Sequence, residues 1–270
     1  MYAKLLAYEI RSRYRADARS FGAFIVTIAV ASGIVAAGLP GISGSTAVLA
    51  YALCALTPVA CAIAAMADYW KTLYGQRGYF TMSLPVSGTV IFWAKIARMV
   101  IECLLALALA VGGIIAVASA AAWSDGISLA EYTAGPRSLV AGVPTSTVAI
   151  MIVVQVLVSL SWLVQGSAVM SIGAEGRFNH MGFGAPIIGF VLLYIVNQVL
   201  STVGTFFLPL SVTTDGHFST EIMWTSYLAT MGTEGQPNVI GIGSYVLVPL
   251  FALVMAIWAS RSIEKHTSLR

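Results

Sequence analysis

Residues 99–122 read MVIECLLALALAVGGIIAVASAAA, and the one charge among these 24 residues is Glu102, near the start. As a helix rising about 1.5 Å per residue, the stretch is about 36 Å long. That is enough to cross a hydrocarbon layer about 30 Å thick. A charge at mid-bilayer costs about 2.5–3.5 kcal/mol on insertion scales, so its absence beyond Glu102 is what spanning demands. The run is continuously apolar rather than alternating. Its backbone is therefore satisfied in lipid by a helix and not by a barrel strand.

Five further runs have the same character: 21–39, 46–67, 147–170, 186–207 and 241–259, none holding a charged residue. Of the 270 residues, 25 are charged, or 9%, and 59% are apolar. An average soluble domain is about 25% charged, so a water-soluble fold of this size is excluded, as are disorder and a disulfide scaffold. The chain reads as an all-α polytopic membrane protein. It forms a single transmembrane domain over 1–270 with six transmembrane helices and the lipid bilayer as its solvent.

Placement of the positive charges predicts orientation. The N-terminal tail holds Lys4, Arg11, Arg13, Arg15 and Arg19, and the 68–98 connection holds Lys71, Arg77, Lys95 and Arg98. The 171–185 connection adds Arg177, and the C-terminal tail adds Arg261, Lys265 and Arg270. Only Arg137 falls on the other side. The positive-inside rule then predicts a multi-pass protein of the cytoplasmic (inner) membrane with both termini cytoplasmic.

Residues 1–20 read as an amphipathic interfacial helix. Ala3, Leu6, Ile10 and Tyr14 recur at helical spacing, Glu9 and Arg13 are an i,i+4 pair, and Arg11, Arg15 and Arg19 line another face. The 208–240 connection is predicted to be an extracellular or re-entrant segment. Within it Thr220–Met231 reads as an interfacial helix with Met223, Tyr227 and Met231 on one face. Pro58 is expected to bend the second span, and Ala29, Gly33 and Ala37 form a small-residue packing row in the first.

Catalytic chemistry finds little support. There is no HExxH, no pair of intramembrane carboxylates and no GxxxxGK[ST] phosphate loop. Gly41-Ile42-Ser43-Gly44 resembles the GxSG of rhomboid intramembrane proteases, but His180, His217 and His266 all lie outside the spans. Cys54, Cys61 and Cys103 have no CxxC spacing and read as small core residues. No catalytic residue, metal site or resident cofactor is predicted. A net charge of +3 without a basic block gives no reason to expect nucleic acid. The mid-span polar groups, among them Thr57, Gln155, Gln165, Asn197 and Gln198, serve interhelical hydrogen bonding or line a path. Without mid-membrane ionisable groups, energy for any transport has to come from a partner.

The 68–98 connection reads Asp68-Tyr-Trp-Lys71-Thr-Leu-Tyr-Gly75-Gln-Arg77-Gly78-Tyr79-Phe-Thr81-Met-Ser-Leu84-Pro85-Val86-Ser87-Gly88-Thr-Val-Ile-Phe-Trp93-Ala-Lys95-Ile-Ala-Arg98. Pro85 stops one helical stretch and Ser87 is placed to cap the next. The apolar run from Val90 then makes a short helical protrusion continuous with the third span. A rigid protrusion transmits force from a soluble motor to a membrane helix, whereas a floppy loop does not.

This stretch resembles the cytoplasmic loop of ABC-2-type transporter permeases, with its Gly-Tyr, Leu-Pro-Val-Ser and following Lys. Gly78, Tyr79, Leu84, Pro85, Val86, Ser87 and Lys95 match, and Gly88 departs where the family commonly has a basic residue. The resemblance implies a cytoplasmic coupling helix between spans two and three, with Thr81 and these matching residues contacting ABC ATPase subunits. It implies a second copy of the chain or a related permease chain, and ATP and Mg bound by the partner ATPase rather than here. Spans two and five would line the path, which nominates Thr57, Asn197 and Gln198. The expected activity is export of an amphipathic substrate: a drug, a peptide or a lipid. The alternatives are a non-transporting membrane scaffold or sensor subunit and, less well supported, an intramembrane hydrolase.

Overall fold

The computed structural model describes residues 2–75, 78–83, 85–182, 184–232 and 235–265, with the backbone alone for Phe80, Met82, Asn179 and His180. Its architecture is helical, and six helices are long and apolar enough to cross a membrane. They are α1 (Tyr2–Ala36), α2 (Ile42–Leu73), α4 (Gly88–Ser124), α7 (Thr145–Gly173), α8 (Gly184–Phe207) and α10 (Ser244–Lys265). Short helices α3 (Gly78–Met82), α5 (Leu129–Tyr132), α6 (Ala134–Ser138) and α9 (Met223–Thr230) lie between them. Each of the six apolar runs falls for most of its length on one long helix. The fold is an all-α polytopic membrane protein.

The apolar side chains point the way lipid requires. On α8, Val191, Leu192, Ile195 and Val199 are each more than half exposed. A water-soluble protein does not leave a contiguous face of that kind uncovered.

Helix ends depart from the apolar runs for local reasons. The first span is expected to reach Leu39, but α1 stops at Ala36. Gly38 and Gly41 adopt φ of 62° and 76°, left-handed values that favour glycine, and Pro40 between them cannot continue a helix. The Ser43 hydroxyl donates to the Ile34 carbonyl across this turn at 3.0 Å. At the other end, α1 runs without interruption from Tyr2, so residues 2–20 and the first span are one helix of 35 residues. Pro58 lies inside α2, which continues through it.

The chain divides into two compact units. Unit 1 is Met1–Thr72 with Trp93–Leu139, and unit 2 is Leu73–Phe92 with Val140–Arg270. In unit 1, Phe24 and Ile28 of α1 pack with Ala50 and Cys54 of α2 and Val117 of α4. A second cluster joins Val35 to Ala120 and Ala121. In unit 2, α10 packs against α7 and α8.

The 208–240 segment holds more structure than the sequence reading predicts. A three-stranded antiparallel sheet forms in the order β2-β1-β3, from β1 (Ser211–Thr213), β2 (Phe218–Ser219) and β3 (Val239–Gly241). The expected helix is present as α9, shorter than Thr220–Met231, with Trp224 and Tyr227 packed on Phe206 of α8. The last span is predicted from Gly241, but Gly241 belongs to β3 and α10 begins at Ser244. A side chain at Gly241 would overlap the Thr205 carbonyl, so glycine is what lets the strand lie on α8.

Candidate functional site

Three helices of unit 1 each carry a polar stripe at helical spacing. On α1 it is Glu9, Arg13 and Asp17; on α2, Asp68 and Thr72; on α4, Lys95, Arg98 and Glu102. Side chains three or four apart share a face, and the fold turns these faces toward one another. Lys95 Nζ donates to Glu9 Oε1 at 2.9 Å and to Thr72 Oγ1 at 2.9 Å. Arg98 Nη2 donates to Asp68 Oδ2 at 2.9 Å, its Nε lies 3.7 Å from Glu9 Oε2, and its Nη1 pairs with Glu102. Arg13 pairs with Asp68 at 2.7 Å and with Asp17 at 3.4 Å.

Lys95 and Arg98 are each 1% exposed, and Glu9 and Glu102 are buried too. Desolvating such charges costs several kcal/mol per ion, and each has opposite charges at hydrogen-bond or ion-pair distance. Four carboxylates face three cations, a formal balance of −1. The Glu9–Arg13 pair expected from spacing is replaced: Glu9 turns to α4, and Arg13 to Asp17 and Asp68. The inward face of this part of α1 is the charged one, while Ile10 and Tyr14 of the predicted apolar stripe stay exposed. Arg98 is the hub, holding carboxylates from α1, α2 and its own helix.

The signal for this cluster is present in the sequence as matched registers, 9/13/17 against 95/98/102. Register within one helix does not say which other helix it meets. The cluster contains no arrangement for bond-breaking, and no group of His, Cys, Asp or Glu suited to a metal ion occurs among the described residues. Its chemistry is that of a joint between α1, α2 and the base of α4.

The motif residues divide accordingly. Gly78, Tyr79 and Thr81 lie in α3; Gly78 is buried, Tyr79 exposed and Thr81 half-buried. Leu84 lies outside the described residues. Pro85, Val86 and Ser87 form the turn before α4, with Pro85 and Ser87 exposed. The Ser87 carbonyl accepts from the N–H groups of Val90 and Ile91 at 3.0 and 3.2 Å, starting the helix there. Lys95 faces inward in the ionic cluster.

Gly88 has a structural reason. A Cβ at this position would sit 2.9 Å from the Glu264 backbone nitrogen and from Ile263 Cγ2 of α10. The basic side chain common at this place in the resembled family has no room here.

The nominated path residues take different positions. Thr57 is half-buried in unit 1 and its hydroxyl donates to the Leu53 carbonyl of its own helix at 2.7 Å. In unit 2, Asn197 is buried and donates to Gln165 Oε1 at 2.6 Å, while Gln165 Nε2 donates to the Val248 carbonyl at 3.1 Å. This amide chain ties α8, α7 and α10 together. Gln198 is exposed on the outer face of α8.

No protein-family model, no curated protein and no solved structure matches this chain.

Proposed function

We propose that this chain is the membrane-spanning permease subunit of an ATP-driven ABC exporter, working with separate ATPase subunits and a second permease chain. The observation that carries the reading is the element from α3 through α4. A short helix and a proline turn lead into a helix that runs unbroken for 37 residues. At about 1.5 Å per residue, α4 is about 55 Å long, well beyond a hydrocarbon core of about 30 Å. Lys95 and Arg98 fix its base to α1 and α2 through paired charges.

An element of this kind suits force transmission. Tyr79, Pro85 and Ser87 offer exposed contacts to a soluble ATPase, and a push there is carried along α4 rather than absorbed. ATP and Mg belong to the ATPase partner. An uncharged path suits amphipathic cargo such as a drug, a peptide or a lipid. On this reading the basic side is cytoplasmic and the membrane is the cytoplasmic one.

The test is Leu84→Asp in the full chain, reconstituted with its co-purifying ATPase. The expected outcome is ATP hydrolysis without transport, with insertion intact. Normal transport by this variant sinks the proposal. A non-transporting scaffold or sensor is the second reading, and one observation favours it: Asn197 and Gln165 are engaged with each other and with Val248, as packing contacts rather than an open polar path.

A further inference from the structure

Unit 2 contains a cavity of about 540 Å³ where α7 ends and α10 carries its basic residues, lined by Glu175, Gly176, Arg177, Trp258, Arg261 and Ser262. Its floor is firm. Ser262 is buried, and its hydroxyl donates to the Ser171 carbonyl of α7 at 3.3 Å. Arg177 is oriented from two sides: Glu175 takes its Nε edge at 2.7 Å, and the Phe178 ring lies 4.6 Å from the guanidinium carbon. Arg261 is exposed, and among the described residues it meets no carboxylate. Among the lining residues two guanidiniums therefore face one carboxylate, an excess of one positive charge.

The apolar side of the site is equally ordered. Trp258, Arg261 and Ser262 follow one another at i, i+3 and i+4 on α10, so they share a face. Continuing away from the cavity at four-residue steps come Val254 and Leu250. Trp258, Val254 and Leu250 are 48%, 60% and 53% exposed. They form a track about 12 Å long that starts at the cation and runs into the hydrocarbon-spanning part of the helix. Indole rings favour headgroup depth in a bilayer, and arginine pairs bidentately with phosphate oxygens.

We infer that this cavity and track bind a phospholipid with an anionic headgroup: the phosphate lies between Arg261 and Arg177, and an acyl chain lies along Trp258, Val254 and Leu250. Basic pockets between membrane helices hold anionic headgroups by the same physics. A free phosphate would leave the track unused, and a zwitterionic lipid would leave the extra positive charge unanswered. The inference stands apart from the export proposal, since a lipid can hold this site whatever the chain moves.

Native mass spectrometry of the full chain in detergent tests it, with phosphatidylglycerol, phosphatidylcholine and inorganic phosphate as the probes. Wild type is expected to retain phosphatidylglycerol in preference to phosphatidylcholine. Arg261→Gln should cut that preference about five-fold, the effect of one basic residue at a charged lipid surface. Glu175→Gln should raise it, a gain that misfolding does not produce. Equal retention of the two lipids by wild type, or an unchanged preference in Arg261→Gln, overturns the inference. So does displacement of phosphatidylglycerol by inorganic phosphate at equal concentration, which marks a soluble-anion site instead.

Discussion

In unit 1, α1, α2 and α4 meet through seven ionisable side chains, from Glu9 on one helix to Glu102 on another. In unit 2, α7, α8 and α10 meet through neutral groups: the Gln165 and Asn197 amides, the Ser262 hydroxyl, and glycines where backbone lies on backbone. The difference teaches where each kind of glue works. Charge is concentrated toward one end of its spans, where α1 precedes its apolar run and α4 is at the start of its own. Amides and bare backbone hold the apolar stretches, where an ion would be costly. Ion pairs fail abruptly when one partner goes. Close-packed backbone fails by steric overlap, and amide bonds fail mildly.

The largest expected effect breaks the unit 1 side of this contrast. Arg98→Ala leaves Glu102 without its cation and takes one of two cations from each of Glu9 and Asp68, and removing one partner of a buried ionic group costs about 3–5 kcal/mol. Denaturant unfolding of the purified full chain in detergent reads this directly. A loss below 1 kcal/mol would show that the cluster is well solvated.

Next comes Gly204→Ala on α8. A Cβ there would lie 2.5 Å from the Ser244 backbone nitrogen at the start of α10. Overpacking of this kind costs about 1–3 kcal/mol, and the same unfolding measurement should register it. An unchanged midpoint would mean that α10 gives way easily at its first turn.

The smallest effect is Gln165→Leu, which removes the amide chain but keeps the bulk. Interhelical hydrogen bonds inside membranes average about 0.6 kcal/mol, with about 1.7 at the top of the range. A loss as large as that of Arg98→Ala would erase the distinction between the two units.

The six spans were legible because hydrophobicity over about 20 residues is a local property, and lipid enforces it on each helix separately. The α4 start was legible for a similar reason, since Pro85 ends one backbone conformation and the following residues favour another. The sheet was not. Its strands are two or three residues long, too short for an alternation signal, and Asp215-Gly216 was the one hairpin cue, with Gly216 at φ 80°. The ionic cluster was half legible: the spacing of 9, 13 and 17 is plain, but its nearest apparent pair was Glu9 with Arg13. Lys95 resembles a coupling residue in the sequence and is an internal partner of Glu9 in the fold. The need for glycine at 88 could not be read at all, because the obstacle, Ile263 and Glu264, lies far along the chain.

The distance in sequence between Glu9 and Lys95 has a consequence for how the protein is made. The two are 86 residues apart, and synthesis proceeds at about 5–20 residues per second. A ribosome therefore needs about 4–17 s after making Glu9 before its partner exists. During that interval Glu9 lacks its cationic partners, whereas Arg13 already has Asp17 on its own helix and, once α2 is made, Asp68. Arrival of the third spanning helix supplies Lys95 and Arg98 and closes the set. The ionic set of unit 1 is therefore complete only after its third long helix has been made.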